Sequence, residues 1–197
     1  MNKPVKQFYL LLCLFLAGTG YAVGQYLPLN ESGKCELAEV VVAEGFLRSA
    51  LLENATNWAK GLTKTEGKLT SVVKDSIEGK LGGNFEFTVY SQTGILKKVS
   101  GSITYHFAIE TKDGKYRYSF SDFVFHYYKQ DRNYQMVRTG RTKPLEEPNA
   151  NGWQKLWTQH RGTVYALTSH QLEELKTKII EVQNATNSKP PEKKVDW

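Results

Sequence analysis

The stretch Ile103–Tyr127 reads ITYHFAIETKDGKYRYSFSDFVFHY, two segments of alternating apolar and polar residues on either side of Asp113-Gly114. A two-residue type I′ turn needs a positive φ at both central residues, so Asp-Gly between such segments is a strong sign of a β-hairpin. With these two residues in the turn, every cross-strand pair is fixed, from Lys112 opposite Lys115 onward. The stretch therefore predicts an antiparallel hairpin of known register.

The register places the hairpin's side chains on two faces, because neighbouring residues of a strand point to opposite sides of a sheet. The apolar face carries Phe107, Ile109, Tyr116, Tyr118 and Phe120, and the polar face carries His106, Glu110, Arg117 and Ser119. We expect the aromatic face to form the core of a half-buried sheet, with an aromatic ligand platform as the alternative. Glu110 lies opposite Arg117, and the two are expected to form a cross-strand ion pair.

The alternation changes phase beyond Phe120, since the aromatic residues continue at Phe123, Phe125 and Tyr127. A slip of one residue turns every later side chain to the other face of the sheet. We therefore predict a β-bulge near Ser121-Asp122, which adds one residue and returns the later aromatic side chains to the core.

Residues 1–24 have the three parts of a secretory signal peptide. Lys3 and Lys6 precede the apolar run Phe8–Ala17, and Ala22-Val23-Gly24 resembles a cleavage site. The run is too short for the ~20 residues that a membrane-spanning helix needs. Cys13 lies inside the run rather than after it, so lipid attachment is the lesser interpretation. We expect export to the periplasm or cell envelope, with cleavage near Gly24.

Removing 24 of the 197 residues leaves 173, a size that fits one domain with its own core. The formal charge falls from +6 to +4 as two lysines are removed, which is ordinary for a solvated surface and gives no sign of a nucleic-acid binder. Cys35 is then the only cysteine, so no internal disulfide is expected. After the signal peptide we expect a polar leader (25–34), a single domain (35–185) and a mobile tail (186–197).

Residue periodicity and breakers predict the element order β-α-β-β-β-β-α. The predicted strands are Cys35–Val42, Leu69–Asp75, Lys80–Tyr90, Ser102–Lys112 and Lys115–Tyr128. The predicted helices are Phe46–Leu62, a short helix near Trp153–Trp157, and a last helix opened by the capping box Thr168–Gln171. Ser91–Gly101 and Gln130–Asn151 are predicted as loops, and Gly82-Gly83 as a bulge or bend. This is an α+β fold, an antiparallel sheet with helices on one face and the other face open to solvent or a partner.

This order, behind a leader and around the segment Lys112–Arg117 (KDGKYR), resembles a family of exported Bacteroidetes proteins known as a domain of unknown function with a TATA-binding-protein-like (TBP-like) fold. The resemblance extends from about Ala38 to Tyr128. It implies the fold and an exported location, and it transfers no catalytic residue. TATA-binding protein uses its sheet on DNA, but a fold does not fix a function. An exported chain is separated from the chromosome, so we expect no nucleic-acid partner.

The sequence lacks the common motifs of catalysis and cofactor binding. It contains no G-x-S-x-G elbow, no P-loop and no G-x-G-x-x-G. Its four histidines, His106, His126, His160 and His170, do not stand at a metal-ligand spacing. We expect neither a metal nor a cofactor.

A basic segment, Lys129–Lys143, holds five Lys and Arg residues against the single acid Asp131. Arg132, Arg138 and Arg141 belong to it. Such a segment can bind polyanions, and the plain alternative is a solvated loop.

These patterns favour a non-enzymatic envelope module that binds an envelope protein or a glycan, with peripheral association with the membrane as a further expectation. The candidate contact residues are His106, Glu110 and Arg117 on the open sheet face, and Arg132, Arg138 and Arg141 in the basic segment. The alternative is a small envelope hydrolase or glycan-processing accessory that uses His106 or His126.

Overall fold

The computed structural model describes residues 26–62, 67–93 and 96–187. The predicted signal peptide (1–24) and residues 188–197 of the predicted tail lie outside this part of the chain. The elements follow the order β-α-β-β-β-β-β-α, one strand more than predicted. Their bounds are β1 Leu37–Val42, α1 Arg48–Leu62, β2 Lys68–Asp75, β3 Lys80–Thr93, β4 Leu96–Lys112, β5 Lys115–Gln130, β6 Met136–Pro144 and α2 Gln154–Asn187.

The strands form one antiparallel sheet in the order β1-β5-β4-β3-β2, and β6 also pairs with β5. The first part of β5, Lys115 to Phe120, pairs with β1. Its last part, Val124 to Gln130, pairs with β6. β5 is long enough to pair with two different strands along its length, and the change of partner from β1 to β6 falls between Phe120 and Val124.

The β4–β5 hairpin has the predicted register, with Lys112 opposite Lys115 and His106 opposite Ser121. The predicted bulge is confirmed, because the register shifts between Thr104 and His106, opposite Asp122 with its positive φ of 55°. Two features of the hairpin differ from the prediction, namely the type of its turn and the pairing of its charges.

The turn is not type I′, since only Gly114 has a positive φ (75°). Its shape fits its contacts with the start of α1. The Asp113 carboxylate accepts a hydrogen bond from the Arg48 backbone N–H at 2.7 Å, and the Gly114 N–H donates to the Phe46 carbonyl at 2.9 Å. The hairpin tip therefore caps the helix, satisfying an N–H that a helix terminus leaves without an intrahelical partner.

The expected Glu110–Arg117 ion pair is wrong. The two residues are opposite in register, but the described salt bridges join other residues. Both side chains are exposed. Holding two long side chains together in water gains little free energy, so the register alone does not produce a contact.

Both helices pack on one face of the sheet, and the aromatic face of the hairpin is the core, as predicted. Trp58 of α1 contacts Phe107 edge to face at 5.6 Å and lies 6.0 Å from Phe120. Trp157 of α2 contacts Phe125 edge to face at 5.8 Å. All five rings are buried at 1% exposure or less. Aromatic pairs in such geometry stabilise a core by ~0.5–1.5 kcal/mol each beyond the area that they bury.

The predicted loop over Gln130–Asn151 is wrong for Met136–Pro144, which forms β6. The sequence of β6 (MVRTGRTKP) is polar because most of its side chains remain partly or fully exposed. An alternation of apolar and polar residues marks only those strands that bury one face. The predicted loop over Ser91–Gly101 is wrong as well, because β3 and β4 extend into it up to Thr93 and from Leu96.

The predicted break before the last helix is also wrong, because α2 runs without interruption from Gln154 to Asn187. Thr168, read as a helix cap, is fully buried, and its hydroxyl donates to the Val164 carbonyl at 2.8 Å. A threonine inside a helix satisfies its hydroxyl in this way. Among the described residues, no helix is both long and apolar enough to cross a membrane.

Candidate functional site

The sheet face opposite the helices holds a groove of about 410 Å³ near the bulge. Five strands, β2 to β6, contribute residues to its lining. The residues that give it chemical character are Asn84, Thr104, His106, Asp122, His126 and Arg138. The groove therefore joins residues that stand up to 68 positions apart in sequence, from Thr70 to Arg138.

His106, on β4, is held by a chain of hydrogen bonds. Its Nδ1 lies 3.1 Å from the Asn84 Oδ1, and the Asn84 Nδ2 donates to the Ser71 hydroxyl at 2.9 Å. Because the amide oxygen can only accept, Nδ1 carries the proton. In the neutral ring Nε2 is then a hydrogen-bond acceptor for a ligand in the groove.

His126, on β5, lies on the same face because the bulge shifts the alternation of the strand by one residue. Its Nε2 lies 2.9 Å from the Thr104 hydroxyl of β4. Burial lowers the pKa of His126, the Arg138 guanidinium lowers it further, and Glu86 acts in the opposite direction. The ring is therefore neutral at pH 7, where it can accept or donate a hydrogen bond at its two nitrogens.

Arg138, on β6, reaches across the open face toward β3. Its Nη1 lies 3.8 Å from the Glu86 Oε1, a long contact between side chains that are 40% and 20% exposed. This places one permanent positive charge in the groove. The planar guanidinium can bind a carboxylate through two parallel hydrogen bonds.

Asp122 supplies the carboxylate of the groove and stands at the bulge itself. Its φ of 55° is in the left-handed region, which aspartate tolerates better than most residues. Bulges frequently re-aim side chains beside functional sites. Here Asp122 lines the same groove as the two imidazoles.

The structure distributes the predicted site residues over several places. His106 and Arg138 line the groove, whereas Glu110 and Arg117 line a separate depression of about 230 Å³ at the hairpin end. Arg132 is exposed in the β5–β6 turn. Arg141 lies over the Tyr127 ring, 5.0 Å from its centroid.

The basic segment therefore does not present one charged surface. The ring of Tyr127 packs against Trp153, directly before α2, so Arg141 belongs to the helix side of the sheet. Lys143 also turns to that side, 5.3 Å from the centroid of the Trp157 ring, and pairs with Glu147. A strand distributes its side chains between two faces, which is what separates Arg138 from these two residues.

Asn84, Thr104 and Asp122 are among the groove residues that sequence reasoning missed. The phase change after Phe120 locates the bulge and so gave one usable signal for Asp122. Asn84 had no such signal, because its role depends on β3 lying beside β4.

The groove is suited to recognition by hydrogen bonds and charge. The imidazoles have neutral partners, an amide and a hydroxyl, where a catalytic histidine is typically oriented by a carboxylate. Within the residues that the structure describes, no group of three His, Cys, Asp or Glu side chains is placed to hold a metal ion.

The comparisons with known proteins agree with this fold. Residues 38–126 match the family model described as "Domain of unknown function (DUF4468) with TBP-like fold". A TBP-like protein from Parabacteroides distasonis is similar in structure, with a TM-score of 0.56 and 16% identity, over 77% of this chain and 96% of that one. A DUF4468 family protein from Bacteroides ovatus is similar with a TM-score of 0.51 and 14% identity, over 79% of this chain and 92% of that one. No curated protein matches the chain. At these identities the structural likeness shows the fold alone.

Proposed function

We propose that the chain, whose residues 38–126 match the DUF4468 family model, is a non-enzymatic binding module of the cell envelope. The open face of the sheet is its contact surface, and an envelope protein or glycan is its ligand. The leader (1–24) exports it.

The observation that carries this proposal is the groove on the open face. Helices cover the other face, so the open face is the side of the sheet available to a partner. The groove side chains are held in place by hydrogen bonds between strands, as for His106 on Asn84 and His126 on Thr104. Such fixed polar groups bind a ligand without first losing much conformational freedom.

Site-specific photocrosslinking in intact cells tests the contact surface. A photoreactive residue replaces Ala108, which lies on the open face beside His106, and a matched variant replaces Glu173, which is exposed on α2. We expect position 108 to crosslink to an envelope component and position 173 to give none. Crosslinking from position 173 alone, or from neither position, contradicts the proposal.

The sequence of the mature N-terminus tests export. We expect the chain recovered from the cell envelope to begin near residue 25, because cleavage follows Gly24. An intact leader on a chain found in the cytoplasm contradicts this part of the proposal.

A hydrolase is the second candidate function, and it rests on Asp122 lining the same groove as His106 and His126. In a hydrolase one imidazole acts as the general base, and the carboxylate binds the substrate or orients the imidazole. The candidate requires that an envelope glycan or ester substrate is turned over and that H126Q removes the activity. Turnover that is unchanged in H126Q eliminates this site as its source.

A further inference from the structure

The groove combines one permanent cation with several hydrogen-bond acceptors. Arg138 carries five N–H donors, and its contact with Glu86 is long, 3.8 Å. A bidentate anion can approach the guanidinium more closely than Glu86 does. The same groove is lined by Asp122, which carries a carboxylate, and by His106, whose Nε2 is an acceptor when the ring is neutral.

This set of groups restricts the charge of a ligand. A ligand anion would be attracted by Arg138 and repelled by Glu86, which contacts Arg138, and by Asp122, which lines the same groove. A group with two negative charges is therefore disfavoured relative to a group with one. The acceptors are left to bind donor groups of the ligand, for which hydroxyls are suited. The volume, about 410 Å³, is in the range of small-molecule sites.

We propose that this groove binds a carboxylate-bearing sugar of an acidic glycan, with the carboxylate on Arg138 and the ring hydroxyls on Asp122, His106 and Asn84. This inference rests on the proposed function, because it requires that the open face is a binding surface. It is narrower than that function, because it names the groove and the chemistry of the ligand.

A titration with trigalacturonic acid tests it, followed by the backbone amide resonances of the ¹⁵N-labelled protein. The fully methyl-esterified trisaccharide has the same rings without the charge and serves as the matched ligand. We expect the acid to shift the amides of Asn84, His106 and Asp122, and the ester to bind at least about ten-fold more weakly, since a hydrogen bond to a charged group contributes ~1.5–3 kcal/mol.

Two variants locate the carboxylate. R138Q removes the charge from the groove, and R132Q removes the same charge from the exposed β5–β6 turn. We expect R138Q to weaken binding of the acid about ten-fold or more and R132Q to leave it unchanged. Both side chains are exposed, so both variants are expected to keep the dispersed spectrum of the folded protein.

Several results would overturn the inference. Equal affinity for the acid and the ester shows that the charge is not recognised, and equal weakening by R138Q and R132Q shows that only net charge matters. Binding of an acidic hexapeptide to the groove in place of the sugar assigns a peptide ligand. If no trisaccharide binds while position 108 still crosslinks in cells, this inference fails and the proposed function stands.

Discussion

His160 gives the fold a calculable sensitivity to acid. It lies on α2, is 1% exposed, and stacks on Phe125 with ring centroids 5.6 Å apart and an interplanar angle of 19°. Its Nε2 lies 2.9 Å from the Ser100 hydroxyl. Burial lowers the pKa of His160 to about 4, because the charged ring would lose its hydration in this aromatic environment.

The sign of the effect follows from the two pKa values. In the unfolded chain the imidazole titrates near its ordinary ~6.5. As the pH falls below that value the unfolded state binds the proton first, so the free energy of unfolding decreases, and the decrease ends once the pH is below about 4. The difference between the two pKa values corresponds to about 3 kcal/mol in total, most of which is lost by pH ~4.5.

Urea unfolding at a series of pH values between 7.5 and 4.5, followed by tryptophan fluorescence, measures this loss. H160Q is the control, because it removes the titrating ring and leaves the rest of the acid response intact. That response includes Glu39, whose pKa is lowered by hydrogen bonds from Tyr118 and Lys176 and which also loses stabilisation in acid. We expect the stability of the wild type to fall by ~2–3 kcal/mol more than that of H160Q over this range.

Parallel pH profiles for the wild type and H160Q would refute the reasoning. A second variant, S100A, separates burial from hydrogen bonding. Since burial is what lowers the pKa of His160, S100A is expected to keep the steep profile of the wild type. A profile in S100A as shallow as that of H160Q would show that the hydroxyl, and not burial, holds the ring neutral.

Two further predictions compare matched pairs of variants by urea unfolding at neutral pH. A methyl group at Gly83 would lie 2.6 Å from the Phe107 ring, so G83A is expected to lose ~1–3 kcal/mol of stability. At Gly82 the nearest heavy atom is 3.7 Å away, so G82A should cost less than ~0.5 kcal/mol. Equal losses in the two variants would contradict the packing argument. D113A removes the acceptor for the Arg48 N–H and is expected to lower the free energy of unfolding by ~1 kcal/mol. D113N keeps an acceptor oxygen and is expected to lower it by less. An equal loss in both variants would show that the helix requires the charge of Asp113 and not the hydrogen bond.

The sequence was most informative where structure depends on neighbouring residues. The hairpin register, the bulge after Ser121 and the helix predicted over Phe46–Leu62 all follow from local periodicity, and all are found in the structure. The same local signals misled at Gly82-Gly83, which pairs in regular register with Ala108 and Phe107. Gly83 is required by the ring that lies on it, and no local pattern records that contact.

The candidate site was only partly predictable because its residues come from five strands, β2 to β6. His106 could be assigned to the open face, since the hairpin register fixes it. The position of Arg138 in the groove could not be predicted, because the sequence of β6 is polar and does not show the alternation that marks a strand. Predicting that Arg138 and Arg141 lie on different faces of the sheet also requires knowing that they belong to a strand, since in a loop both side chains could be exposed to the same solvent.

The bulge at Asp122 links the stability of the fold to the formation of the groove. Without the extra residue, the alternation of β5 would turn Phe123 and Phe125 to the open face and His126 into the core. With it, both phenylalanine rings are buried at 1% exposure, and His126 lies beside Thr104 in the groove. Burying the two rings stabilises the fold by several kcal/mol, on the order of 1.5–3 kcal/mol for each side chain. That gain exceeds the ~1–3 kcal/mol that an unusual backbone conformation such as that of Asp122 costs. The demands of the core therefore keep the bulge in place, and the core holds the groove in shape whether or not a ligand is bound.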